Sequence, residues 1–137
     1  MRITNNFTLE EFIKSETAYK LKINNTPNKE QLNNIKFMAE QLQLVRNAYK
    51  QPIIITSGFR CEELNNALKG SKTSFHRLGL AVDINQGSRA KNKHLFELIK
   101  SLMKVGLLVD QLINEKDYSW IHIGFKQENP RLQILKL

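Results

Sequence analysis

The sequence predicts an α+β fold in a single domain spanning residues 1–137, with helices packed on a small, mostly antiparallel sheet. Three observations carry that prediction. Two segments place apolar residues every three to four positions, Leu32-Ile35-Met38-Ala39-Leu42-Val45 and Leu95-Phe96-Ile99-Leu102-Met103, the stripe that a core-facing helix requires. Between and after them lie short apolar or β-branched runs of strand length, bounded by turn residues. No internal repeat, low-complexity tract or linker divides the chain, so all these elements share one core.

In chain order, Phe7-Thr8-Leu9-Glu10-Glu11-Phe12 opens a short helix. Thr8 at the N-cap with Glu11 three residues on is a capping box, and Phe7 with Phe12 forms a hydrophobic staple around it. Asn24-Asn25-Thr26-Pro27-Asn28 breaks the chain before the first long helix, which Pro52 ends. Ile53-Ile54-Ile55-Thr56-Ser57 is β-branched and predicts a central strand. Gly58 opens a loop, and Cys61 to Leu68 is helix-compatible. Polar residues 69–73 lead to an apolar run, Leu80 to Ile84. The second long helix runs from about Arg89 to Lys104 and is stopped by Gly106. Strands are then expected at Val109–Ile113, Ile121–Phe125 and Leu132–Leu135.

The bulk composition narrows the function classes. With 137 residues, 41% hydrophobic and 25% charged, the chain has the makeup of an ordinary soluble globular domain. No apolar run reaches the roughly 18–20 residues of a membrane span. No charged and apolar leader of the secretory type opens the sequence, so synthesis in the cytoplasm is expected, with another agent providing passage to any site outside it. The single Cys61 forms no internal disulfide; it is expected to be a small buried hydrophobe. Twenty-one basic against 13 acidic residues give +8, a field that favours polyanions such as an anionic cell wall. The basic residues are scattered and not interleaved with aromatics, so a nucleic-acid partner is not expected.

The chemistry concentrates in Ser74-Phe75-His76-Arg77-Leu78-Gly79-Leu80-Ala81-Val82-Asp83-Ile84-Asn85. Gly79 suits a sharp turn or a close backbone approach. Asp83 interrupts an apolar strand, and a carboxylate there must be paired, hydrogen-bonded or coordinated, because burying it bare costs several kcal/mol or more. His76 is a natural co-ligand, and His122, in Trp120-Ile121-His122-Ile123-Gly124-Phe125, is a third. Two histidines and an aspartate from separate segments suit a catalytic Zn²⁺ site, which leaves one position open for water. Such a site needs a carboxylate to move the water's proton to the leaving group. Glu115 at the end of its strand is the first candidate, and Asp117 is the second. Arg60 is a candidate for binding a substrate carboxylate or oxyanion through its planar fork. Each residue also has a plainer reading. Asp83 would cap a turn with Asn85, Arg60 would pair with Glu62 or Glu63, Glu115 would sit in a solvated turn, and Ser74 would bond its own backbone. His94 is expected at the surface.

Ser57-Gly58-Phe59-Arg60, the Ser74–Asp83 stretch and Trp120-Ile121-His122 together resemble the zinc D-Ala-D-Ala carboxypeptidase family of metallopeptidases. The S-x-H-x-x-G-x-A-x-D pattern and the later W-x-H of that family are both matched, and the N-terminal segments look like its phage and prophage branch. The resemblance implies a fold of the hedgehog and DD-peptidase type, with His76, Asp83 and His122 as zinc ligands. It implies Arg60 as the substrate-binding arginine and Ser74 as a residue behind the ligands or against the substrate. Several relatives carry the catalytic acid three residues before the last histidine, where this chain has Ser119, so Glu115 is expected to take that role. The implied function is a monomeric zinc peptidase, DD- or LD-specific, cutting peptidoglycan stem peptides or cross-links at the bacterial wall as an endolysin. The alternative is a wall-binding module that keeps the fold without the catalysis.

Overall fold

The computed structural model describes residues 1–137. Its elements are α1 (Leu9–Ile13), α2 (Glu16–Leu21), α3 (Lys29–Tyr49), β1 (Ile55–Ser57), α4 (Glu62–Ala67), a 3₁₀ turn (Phe75–Leu78), β2 (Ala81–Ile84), α5 (Arg89–Met103), β3 (Val109–Glu115), β4 (Trp120–Phe125) and β5 (Gln133–Lys136). The five strands form one sheet in the order β1-β2-β4-β3-β5. Every pairing is antiparallel except β3 with β5. The fold is α+β, as the sequence predicts.

Local signals account for most boundaries. At α1 the Thr8 N–H donates to Glu11 Oε2 at 2.8 Å, and the Phe7 and Phe12 rings lie 5.8 Å apart, both buried. Capping box and staple therefore both form. Asn28 and Gln31 build a second capping box at the start of α3. The α3 and α5 stripes bury Ile35, Met38, Leu42, Val45, Leu95, Phe96 and Ile99 in one cluster with Val82, Ile84, Val109, Leu112, Ile121 and Ile123 of the sheet. Each such side chain contributes about 1.5–3 kcal/mol by leaving water.

Two features differ from the sequence expectation. The strand expected at Ile53–Ser57 is short and lies at the sheet edge, not its centre. Ile54 is exposed, and its N–H is taken by the Gln86 side chain at 2.8 Å instead of a neighbouring strand. Helix α2 was not expected. It is capped by the Ser15 hydroxyl, which accepts from the Ala18 N–H, but it buries only Ala18, so no apolar stripe announces it.

With helices on one face, strand alternation turns a second set of side chains to the other. Asp83 is registered against His122, and His122 against Ile113 on its other side. The 3₁₀ turn lies beside β2 and β4 on this face. Gly79 ends the turn at φ +77°, where a Cβ would stand 2.8 Å from the Gln31 carbonyl of α3. The β3–β4 hairpin closes through Lys116, Asp117 and Tyr118, three successive residues of positive φ. Tyr118 N–H donates to Asn114 Oδ1 at 2.6 Å, and Asn92 Nδ2 of α5 donates to the Tyr118 carbonyl at 2.9 Å.

Candidate metal centre

Three elements bring the centre together. β2 carries Asp83, β4 carries its cross-strand partner His122, and the 3₁₀ turn carries His76. A potential ligand atom from each lies within 4.8 Å of those of the other two. Asp83 Oδ1 meets His122 Nδ1 at 2.9 Å, and Oδ2 lies 3.4 Å from His76 Nε2. The two imidazoles face each other edge-on at 5.2 Å.

The donor set suits a metal ion. His76 is buried, and its Nδ1 lies 2.7 Å from the Gly58 carbonyl, which can only accept. Nδ1 therefore carries a proton, and Nε2 is the ring atom turned toward Asp83. A metal-binding histidine is commonly oriented by such a bond from its other nitrogen to a backbone carbonyl. Gly58 must be glycine here, since a Cβ would stand 2.4 Å from the Phe12 carbonyl. Burial raises the Asp83 pKa, but hydrogen bonds from His122 and His76 outweigh it and hold the carboxyl well below its ordinary range. Asp83 is thus an anion between two imidazoles, the charge that a divalent cation needs.

Arg60 joins the group from the loop before α4. Its Nη2 lies 3.5 Å from Asp83 Oδ2, and its Nε donates to Ser57 Oγ at 3.2 Å. The pairing with Glu62 or Glu63 does not occur. Burial lowers the Arg60 pKa and the nearby Asp83 charge raises it. Asn25 holds this loop, donating to the carbonyls of Ile13 and Phe59 at 2.9 and 3.0 Å and accepting from Cys61 N–H at 2.7 Å. The sequence marks Asn25 as part of a break and of the N-terminal family resemblance but not as an anchor of this loop, because bonds to residues 34 and 36 positions away leave no local pattern.

The remaining candidates take distinct places. Ser74 caps the 3₁₀ turn, its hydroxyl accepting from His76 N–H at 3.2 Å, and it lines two cavities beside the turn. Glu115 pairs with Trp120 at the hairpin end and shares a strand face with His122, diagonally across the ladder. Such diagonal positions are about 7–8 Å apart, within reach of a long side chain. Asp117 is exposed in the turn, where its carbonyl accepts from Arg89 Nε at 3.1 Å. Ser119 is engaged in that turn too, donating to the Lys116 carbonyl at 2.6 Å. Cys61 caps α4 with its sulfur, partly buried, and His94 is exposed on α5.

No helix is long and apolar enough to cross a membrane. A family model described as peptidase M15 matches residues 5–124, most of the chain and all three members of the His-Asp-His group. No curated protein matches the chain.

Proposed function

The chain belongs to the peptidase M15 family, and from that premise we propose that it is a zinc peptidase hydrolysing peptidoglycan stem peptides or their cross-links. The observation that carries this reading is the convergence of His76, Asp83 and His122, whose ligand atoms lie within 4.8 Å of one another. His76 through Nε2, Asp83 through its carboxylate and His122 through Nδ1 would hold the ion, a two-imidazole, one-carboxylate set of the catalytic zinc type. When bound, zinc supplies Lewis acidity that polarises the scissile carbonyl and lowers the pKa of water toward about 7.

The protein's own groups do the rest. Arg60, beside Asp83 and largely withdrawn from solvent, presents a cationic fork to a substrate carboxylate or to the carbonyl oxygen as it gains negative charge. Glu115 accepts the proton that the attacking water loses as its oxygen bonds to the carbonyl carbon. It returns that proton to the amine nitrogen as the C–N bond breaks. Ser74 positions His76 by capping its turn. The +8 charge favours retention on an anionic wall, in keeping with a monomeric, endolysin-type enzyme made in the cytoplasm and acting at the bacterial wall.

The test is direct. Purified protein should hold about one zinc per chain, lose hydrolysis of a defined stem peptide on chelation and regain it when zinc is restored. Full activity in metal-free protein, or no cleavage of any stem peptide by zinc-loaded protein, would overturn the reading.

A further inference from the structure

Past His122 the site face opens into a cavity of about 350 Å³, lined in part by Ser71, Thr73, Ser74, Gln111, His122 and Arg131. No acidic residue lines it. Arg131 is the one full cation on that wall, and it is held unusually firmly for a surface arginine. Its Nε and Nη2 donate to Asp110 Oδ2 at 3.0 and 2.7 Å, and its backbone N–H donates to Oδ1 at 2.9 Å. Asp110 is 1% exposed while the Arg131 side chain is 55% exposed, so the aspartate is the anchor and the arginine is what it displays. Nη1 has no protein partner. Strand order puts Arg60 toward the β1–β2 side of the metal centre and Arg131 beside β3, so the two arginines flank the centre along the sheet. Arg131 lies beyond the residues that the family model matches.

We propose that Arg131, fixed by Asp110, is a specificity-determining residue that receives a free carboxylate of the peptide substrate on the His122 side of the metal centre. The proposal rests on the peptidase reading and adds to it the charge of the substrate beyond the scissile bond. A guanidinium already held in place loses little freedom on binding, and its free edge meets a carboxylate with charge-assisted hydrogen bonds. The surrounding hydroxyl and amide groups add donors, and no second carboxylate on the cavity wall competes for the guanidinium edge that Asp110 leaves open. A clamp serving only to pin the start of β5 would make the same contacts with Asp110 but would be indifferent to substrate charge.

The experiment uses peptide pairs identical except for a carboxylate or carboxamide, placed on the acyl side of the scissile bond in one pair and on the amine side in the other. Steady-state hydrolysis by zinc-loaded protein is measured alongside calorimetric binding to chelator-treated protein. The parent should favour the carboxylate in at least one pair by roughly 10- to 100-fold, chiefly through KM and Kd, the range of hydrogen bonds to charged groups. Asp110→Asn combined with Arg131→Gln leaves no bare buried charge, and its melting curve verifies folding. In that variant the preference should fall to near parity. Arg131→Lys, which keeps charge without the fork, should recover only a small part of it. Equal treatment of both forms by the parent, a preference that survives in the double variant, or full recovery by lysine would each overturn the proposal. If zinc-loaded parent cuts neither form, the peptidase reading falls, and the binding comparison still decides the role of Arg131.

Discussion

Two aspartates sit in neighbouring parts of the sheet and solve the same problem differently. Asp110 in β3 is almost wholly buried, and one arginine satisfies it with three hydrogen bonds from permanently available donors. Asp83 in β2 is partly buried, its side chain 15% exposed, and its partners are two imidazoles, at 2.9 and 3.4 Å, together with Arg60 at 3.5 Å. An imidazole nitrogen donates only when it carries a proton, and offers a lone pair when it does not. Asp110 is therefore complete within the chain. Asp83 belongs to a group of three side chains placed so that they could hold a cation. Burial and a lowered pKa are common to both, so neither property separates a structural carboxylate from a functional one; the chemistry of the partners does.

The largest effect should come from exchanging the two carboxylates for amides one at a time. Asp83→Asn or His76→Ala should take bound zinc from about one per chain to near none and hydrolysis below detection. Asp110→Asn should leave zinc content at about one and lower the melting temperature, with any loss of hydrolysis confined to the carboxylate preference that Arg131 confers. Metal analysis decides this, and stoichiometric zinc in the His76 variant would dissolve the contrast. Next in size is the proton acceptor, which is neither aspartate. Glu115→Gln keeps shape and zinc, and single-turnover cleavage should fall at least about 10²-fold, the lower end for general acid–base catalysis. Asp117→Asn, in the same hairpin, is the control; if that variant is the inactive one, the assignment moves to Asp117.

Removing the third partner of Asp83 sharpens the comparison further. Arg60→Ala should keep zinc and fold while turnover drops about 10²-fold, as for loss of one charge-stabilising donor. Arg60→Lys should restore little, because an ammonium lacks the two-pronged donor geometry; a lysine variant as active as the parent would reduce Arg60 to a surface charge. The smallest effect concerns Asp110 and acid. The Arg131 hydrogen bonds lower its folded pKa, more than burial raises it. A depressed folded pKa gives stability that is present above the unfolded value of about 3.9 and is lost as pH falls through the folded one. Acid unfolding monitored by circular dichroism should thus begin at lower pH for the Asp110→Asn, Arg131→Gln variant than for the parent, once each is referenced to its own neutral-pH stability. Coincident acid limbs would show that the pair contributes nothing there.

Two of the three clustered residues were legible in the sequence because polar side chains interrupting short apolar strands have few inexpensive explanations; His76, in a 3₁₀ turn, was reached only from its place upstream of Asp83 and from the family resemblance. Asp83 between Val82 and Ile84, and His122 between Ile121 and Ile123, announce themselves by alternation alone. The α1 cap was equally plain. What escaped depends on distance along the chain. The bond from Arg131 to Asp110 spans 21 positions and the bonds of Asn25 span up to 36, with no periodicity to betray them. The edge position of β1 was hidden for a related reason, since three successive isoleucines report strand propensity but not the number of strand neighbours. Helix α2 left only the Ser15 cap, too small a signal without an apolar face.

The hairpin between β3 and β4 bears on where foreign sequence can be grafted. Exposed loop tips are the usual choice for insertion, but tolerance follows the bonding of the backbone. Here the tip is a cast taken from α5: Asn92 grips the Tyr118 and Ser119 carbonyls, and Arg89 grips that of Asp117. A tag inserted at 116–118 would pull on Glu115 at one end and the His122 strand at the other. The turn at Gly106 is freer, with nothing within 4 Å of an added Cβ there and Val105 beside it 78% exposed. A graft or a fluorophore belongs at that corner, just past the C-terminal end of α5, whereas the β3–β4 hairpin is bonded to Arg89 and Asn92 near its N-terminal end.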